Sequence, residues 1–155
     1  MLQMQTHEWV AIEGGQLLVS LAQDTATVEE AQRLRYQVFG EEMGANIQSQ
    51  DGRDVDGLDP FCYHLVVRDK QSGAVIGAYR ILTEQGAIAN GAWYAESEFD
   101  LSNLKPILPK TMEVGRACVH RDYRHGGTIA LLWMGLTQFM QLHGLEFMIG
   151  CGSMS

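Results

Sequence analysis

Cysteine is scarce in this 155-residue chain: Cys62, Cys118 and Cys151 are an odd set without C-x-x-C spacing. That excludes a disulfide framework and implies reduced thiols in a cytoplasmic setting. Long hydrophobic runs are missing too. The longest, Thr128 to Leu136, is about half of the ~20 residues a membrane-spanning helix needs, and no basic-then-apolar leader opens the chain. Basic residues are few, 11 Lys and Arg against 19 Asp and Glu. The net charge of −8 disfavours nonspecific nucleic-acid binding; it suits a cationic small molecule, or serves solubility alone. Neither G-x-x-x-x-G-K-S/T nor G-x-G-x-x-G occurs, which removes the nucleotide-hydrolysis and dinucleotide readings.

What is present is a hydrophobic fraction of 46%, enough at this length for one domain with a real core and no metal or disulfide. Leu17 to Ala22 reads as a strand. A helix follows, with Thr27 and Glu30 at capping-box spacing and Val28, Ala31, Leu34 and Val38 recurring to its end near Phe39-Gly40. Residues 41–60 form a long polar loop. Tyr63–Arg68 and Ala74–Leu82 read as an antiparallel hairpin around the turn composition Asp69-Lys-Gln-Ser-Gly73, and the stretch 86–110 has no clear period. The last third predicts a β-α-β unit: strand Met112–His120, helix Thr128–His143, Gly144 as cap, strand Leu145–Cys151. Ile129, Leu132, Trp133, Leu136, Phe139 and Met140 form the expected apolar helix face, and the flanking strands should be parallel. The fold class is α/β (α+β), one domain over 1–155.

Several residue groups are candidates for chemistry. Gly126-Gly127-Thr128 opens a helix beside Arg121 and Arg124, which suits a phosphate or an ordinary strand-to-helix turn. Glu113 and Arg116 stand three apart on a strand, facing opposite ways unless Gly115 marks a bulge; they read as a buried ion pair or as a base with an ordering arginine. Cys62-x-His64 and Cys118-x-His120 allow a four-ligand zinc site, although the core reading is preferred and no metal is expected. Asp51, Asp54, Asp56 and Asp59 crowd one loop without the calcium-loop order; they read as a solvated loop or as an acidic patch for a cationic substrate.

Taken together, Arg35-Tyr-Gln-Val-Phe39, Asp56-Gly-Leu-Asp59, Cys62-Tyr-His64-Leu65, Gly77-Ala-Tyr-Arg80, Glu98-Phe-Asp-Leu101 and Met112-Glu-Val-Gly-Arg116-Ala-Cys-Val-His120 resemble the ornithine-lipid acyltransferases, often labelled haemolysin-like. These belong to the GCN5-related N-acyltransferase superfamily and are cousins of the acyl-homoserine-lactone autoinducer synthases. The resemblance runs from about residue 30 to the end. It implies a mixed central sheet with flanking helices. It also implies a reactive cleft built from Glu113 and Arg116 as catalytic residues and Arg35, Phe39, Asp56, Asp59 and Arg80 around the substrate. Arg124, Gly126, Gly127 and Thr128 would take the phosphopantetheine of an acyl carrier protein or of coenzyme A, with no permanently bound cofactor.

The implied reaction is transfer of a 3-hydroxyacyl chain from acyl carrier protein to the α-amine of ornithine, giving lyso-ornithine lipid. The alternatives are an acetyl-coenzyme-A-dependent acetyltransferase, an autoinducer-synthase-like enzyme and a non-catalytic carrier-binding module. The implied location is cytoplasmic, peripheral to the inner face of the membrane. Members of the superfamily continue after the fifth strand with a helix and a closing hairpin. The chain is therefore expected to lack them, leaving an open sheet edge for a missing C-terminal segment or a second copy. Arg33, Lys105, Lys110, Arg121 and Arg124 would have to gather on one face to receive an acidic carrier protein.

Overall fold

The β-rich runs pair in chain order into one six-stranded sheet in the computed structural model, which describes residues 9–124 and 126–150. β1 (Ile12–Gly14), β2 (Leu17–Leu21), β3 (Tyr63–Asp69), β4 (Val75–Thr83) and β5 (Thr111–Val119) are antiparallel neighbours. The expected hairpin is β3–β4. β1 has no counterpart in the sequence reading, since a three-residue strand is too short to show a period. β6 (Phe147–Gly150) runs parallel to β5 after the helix Gly127–Leu142, the arrangement expected of a β-α-β unit. Cys151, expected to end that strand, lies outside the described residues.

The first helix, α1 (Thr25–Arg35), starts differently from the expected capping box. Asp24, in extended backbone, caps it by accepting the Thr27 N–H at 2.8 Å, and Glu30 instead pairs with Arg68 of β3. The chain then continues as a π-helical turn, Tyr36–Glu42, past the expected end at Gly40. The stretch that showed no period contains α2 (Glu84–Asn90) and three single 3₁₀ turns.

The helix Gly127–Leu142, α3, covers one sheet face. Leu131, Leu132, Leu136 and Phe139 meet Val19, Leu65, Val67, Ile81 and Met112 there in one apolar cluster. The buried face is rotated from the one expected, because Ile129 and Trp133 are exposed while Thr128, Leu131 and Gly135 point inward. Gly135 explains the rotation: a Cβ there would come within 2.9 Å of Leu65 and 3.1 Å of Val19, so the bare backbone lets the helix sit down on β2 and β3. On the opposite face α1 packs Ala31 and Leu34, and the π-helical turn packs Val38, on Val66, Ala78 and Cys118. Further along that face α2 and the Trp93 segment pack on Cys62 and Leu82.

β5 carries the irregularity that shapes this second face. The β4–β5 register passes from Arg80↔Gly115 to Ala78↔Cys118, so Arg116 and Ala117 together oppose Tyr79 alone. This is a β-bulge, with Arg116 in the left-handed region at φ 53°. Its effect is visible in the packing. Met112 and Val114 belong to the α3 side, yet Cys118, an even number of residues further on, is buried on the α1 side.

Candidate active site

The α1-side face ends in a ring of alternating charge with four of its six members buried, Asp56 and Arg116 being half-buried. Arg35, 1% exposed at the end of α1, forms two hydrogen bonds with Asp59, Nη1 to Oδ1 at 2.9 Å and Nη2 to Oδ2 at 2.7 Å. It also reaches Asp54, Nε to Oδ2 at 3.3 Å and Nη2 to the Asp54 carbonyl. Arg116 bridges Asp54 at 3.0 Å and Asp56 at 3.4 Å, and Arg80 from β4 donates to Asp56 at 2.8 Å and to Asp59 at 3.0 Å. The circuit therefore closes: each aspartate joins two arginines and each arginine two aspartates. Burial of such charges is tolerable only because every one is paired and hydrogen-bonded. Gln32 and the Asp56 N–H donate to Asp59 at 3.1 and 3.2 Å, and the His64 ring meets the Asp59 carbonyl at 3.0 Å.

Burial works to raise the Asp59 carboxyl, but the hydrogen bonds and charges of Arg35 and Arg80 overcome it and hold the group well below the usual carboxylate range. Burial works to lower Arg80, and Asp56 outweighs it, so its guanidinium is held more firmly protonated than usual. Asp59 and Arg80 thus stay ionised near neutral pH. The loop at residues 51–59 is not the solvated one that its composition suggested, since Asp54 and Asp59 are each 4% exposed.

Beside the ring lies a cavity of about 390 Å³ whose polar lining includes Arg80, Glu98, Glu113 and Arg116, with Cys62 and Tyr94 in its wall. Glu113, 5% exposed on β5, accepts two backbone N–H groups at 2.8 Å, that of Tyr94 on Oε1 and that of Ala95 on Oε2. Burial raises its carboxyl above the usual range, opposed in part by those two N–H donors. The bulge is what puts Arg116 in the same cavity as Glu113: a regular strand would turn them to opposite faces, and Gly115 stands at the bulge as its position suggested. The pair do not bond to each other. Arg116 bonds to the aspartates and Glu113 to the 3₁₀ turn Tyr94–Ser97.

Of the residues singled out in the sequence, Arg35, Asp56, Asp59, Arg80 and Arg116 meet in the ring, and Arg80, Glu113 and Arg116 line the cavity. Phe39 is half-buried in the π-helical turn against the α1-side cluster and does not line the cavity. Asp54 was missed as a ring member, and Gln32 as a donor to the ring. Their signal was present in the count of loop aspartates against arginines on neighbouring strands, but pairing over 62 residues has no local period. Cys62 and Cys118 lie in different clusters, and burial pushes each thiol up to about 12. The two C-x-H pairs therefore do not converge.

At the start of α3, Gly126 and Gly127 are exposed, while Thr128 is 1% exposed with its methyl over Gly77. The first N–H groups of this 16-residue helix have no partner within it. Arg124 is engaged by Glu42 of the π-helical turn, Nη2 to Oε2 at 2.7 Å and through Nη1, and donates from Nε to the Val119 carbonyl at 3.0 Å. Of the other basic residues, Arg33 pairs with Glu29 and Lys110 with Glu146. No helix among the described residues is long and apolar enough to cross a membrane.

Comparison with known proteins extends these observations. Residues 34–134 match the family model described as an acetyltransferase (GNAT) domain. The chain is 38% identical over 149 residues to L-ornithine N(alpha)-acyltransferase of Agrobacterium fabrum, covering 90% of this chain and 51% of that protein. It is 36% identical over 149 residues to the protein of the same name from Brucella abortus, covering 90% and 53%. The chain thus spans about half the length of the curated relatives it matches. Among solved structures it resembles the AHL synthase LasI, with a TM-score of 0.63 at 19% identity over 86% of this chain and 71% of that one. It also resembles the CoA-dependent acyl-homoserine lactone synthase BjaI, with a TM-score of 0.60 at 24% identity over 78% and 56%. These two share its fold.

Proposed function

The chain belongs to the GNAT acetyltransferase domain family, and on that premise we propose that it carries an N-acyltransferase site that moves a 3-hydroxyacyl chain from the phosphopantetheine thioester of an acyl carrier protein to the α-amine of ornithine. The product would be lyso-ornithine lipid. The names of relatives 34–38% identical support the acceptor. The observation that carries the chemistry is Glu113: a buried carboxylate at a cavity wall, fixed by two backbone N–H groups and raised in pKa.

Glu113 takes the proton that the acceptor amine must lose, directly or through one water, and a raised pKa brings its basicity nearer the working pH. The amine nitrogen attacks the thioester carbonyl, the C–N bond forms and the C–S bond breaks, and the sulfur leaves as a thiol by recovering the proton. Arg116, whose side chain is 32% exposed, offers donors to the acceptor's carboxylate beyond those it gives the aspartates. Arg35, Asp54, Asp56, Asp59 and Arg80 hold Arg116 in place, as the supporting shell of such a site must. The exposed backbone at Gly126 and Gly127 and the dipole of α3 would receive the donor's phosphate, with Arg124 exchanging Glu42 for it. Both substrates place the reaction in the cytoplasm, at the inner face of the membrane that receives the product.

The test is thiol release by the purified 155-residue chain, given a long 3-hydroxyacyl carrier protein with and without ornithine. Ornithine-dependent release should fall roughly 10²–10⁴-fold in Glu113→Gln. Full activity in that variant would remove Glu113 as the base. Release from acetyl-coenzyme A instead would make it an acetyltransferase, and carrier binding without release a non-catalytic module.

A further inference from the structure

The charges around the cavity do not cancel. Three arginines and three aspartates balance within the ring, each bonded to two partners. That leaves two carboxylates on the cavity wall. Glu113 is held by neutral N–H groups, and the Glu98 side chain makes no hydrogen bond or ion pair with any described residue. Both belong to one local arrangement. The N–H groups of Tyr94 and Ala95 fix Glu113, and the same turn ends at Glu98, whose own N–H donates to the Ala95 carbonyl at 3.0 Å.

We propose that Glu98 is a specificity residue: it binds the side-chain ammonium of a diamino-acid acceptor while Glu113 faces the α-amine. The inference rests on the acceptor reading above and deepens it. An amino acid with one cationic side chain brings two nitrogens and one carboxylate to the cavity. Arg116 suits the carboxylate and Glu113 the reacting amine, so the second ammonium needs an anion of its own. A cation left unpaired beside Arg80 and Arg116 would be repelled. Glu98 is the cavity carboxylate with no other partner among the described residues, and its place at the end of a short turn fixes its backbone without using its side chain. An acceptor of the same length lacking that ammonium would forgo the ion pair with Glu98 and bind less well.

Calorimetric titration of the 155-residue chain with L-ornithine and with L-norvaline, which has the same carbon chain and no side-chain amine, tests this directly. Ornithine should bind about five- to tenfold more tightly, the size of a charge-assisted hydrogen bond at a partly exposed rim. Glu98→Gln should abolish that preference. Glu96→Gln removes a charge from the same turn but outside the cavity lining, and should keep it. Glu98 is exposed and unpaired, so its substitution leaves the fold intact. An unchanged preference in Glu98→Gln, an equal loss in Glu96→Gln, or a wild-type chain that does not distinguish the two amino acids would each overturn the proposal. Failure of the acyl-transfer reading shows up separately, as Glu98-dependent ornithine binding without thiol release.

Discussion

The two faces of one sheet are finished by opposite means. Under α3 the contacts are apolar, with Leu131, Leu132, Leu136 and Phe139 meeting Val, Leu, Ile and Met from five strands. Under α1 the apolar cluster is smaller and gives way to six fully engaged charges. The first arrangement is tolerant, because hydrophobic burial has no direction and neighbours can relax around a change. The second is not, because a buried charge that loses its partner keeps the whole cost of leaving water. The difference teaches how the cavity is framed: it opens on the face where positions are set by directional bonds.

Breaking the ring should therefore cost most. Arg35→Met keeps the side chain's bulk but leaves the buried Asp59 and Asp54 with one arginine each, and should destabilise the fold by about 3–5 kcal/mol, the range for removing one partner of a buried pair. Chemical denaturation at pH 7 measures it. A loss under about 1 kcal/mol would mean that the ring is hydrated and adds little. Leu136→Ala on the other face should cost about 3 kcal/mol, mid-range for truncating a buried leucine.

Acid separates the two losses. Asp59 has a folded-state pKa held below its unfolded value, so the stability it contributes is present above the ordinary carboxyl range near 4 and is lost as pH falls below that. Much of that contribution comes from Arg35. The gap between wild type and Arg35→Met should therefore narrow as pH falls from about 5 to 3, while the gap for Leu136→Ala stays level. Glu113 acts with the opposite sign, since its raised pKa makes its burial more costly as pH rises through the acid range. Parallel narrowing in both variants would show that acid weakens the whole fold rather than the ring.

The same contrast explains how much of the fold is legible in the sequence. The β3–β4 hairpin and the β-α-β end were legible because alternation and helical spacing report apolar burial locally. The residue types of the ring stood out through the family resemblance, yet their connections did not. Asp54 and Arg116 are 62 positions apart, and their meeting depends on a bulge at Arg116 that only the strand register reveals. The capping of α1 by Asp24 was within reach, since Asp24 precedes Thr27 by the same three residues that separate Thr27 from Glu30. The requirement of Arg68 for Glu30 decided between them.

The smallest effect belongs to Trp133, which the spacing placed in the core and the structure leaves 48% exposed. The expected stripe put Ile129 and Trp133 on the sheet-facing side together with Leu132, Leu136, Phe139 and Met140. Close approach at Gly135 instead centres the contact on Leu132, Gly135, Leu136 and Phe139, and turns Trp133 toward solvent beside Ile129 and Met134. Trp133→Ser should accordingly cost less than about 1 kcal/mol, whereas a buried tryptophan would cost 3–5. Its neighbour supplies the contrast. Leu132, 4% exposed, buries its whole side chain against the sheet, so Leu132→Ser should lose far more by combining a cavity with an unpaired hydroxyl. Equal losses at 132 and 133 would put the helix in the orientation that spacing alone predicts, and would remove Gly135 as the residue that sets its rotation.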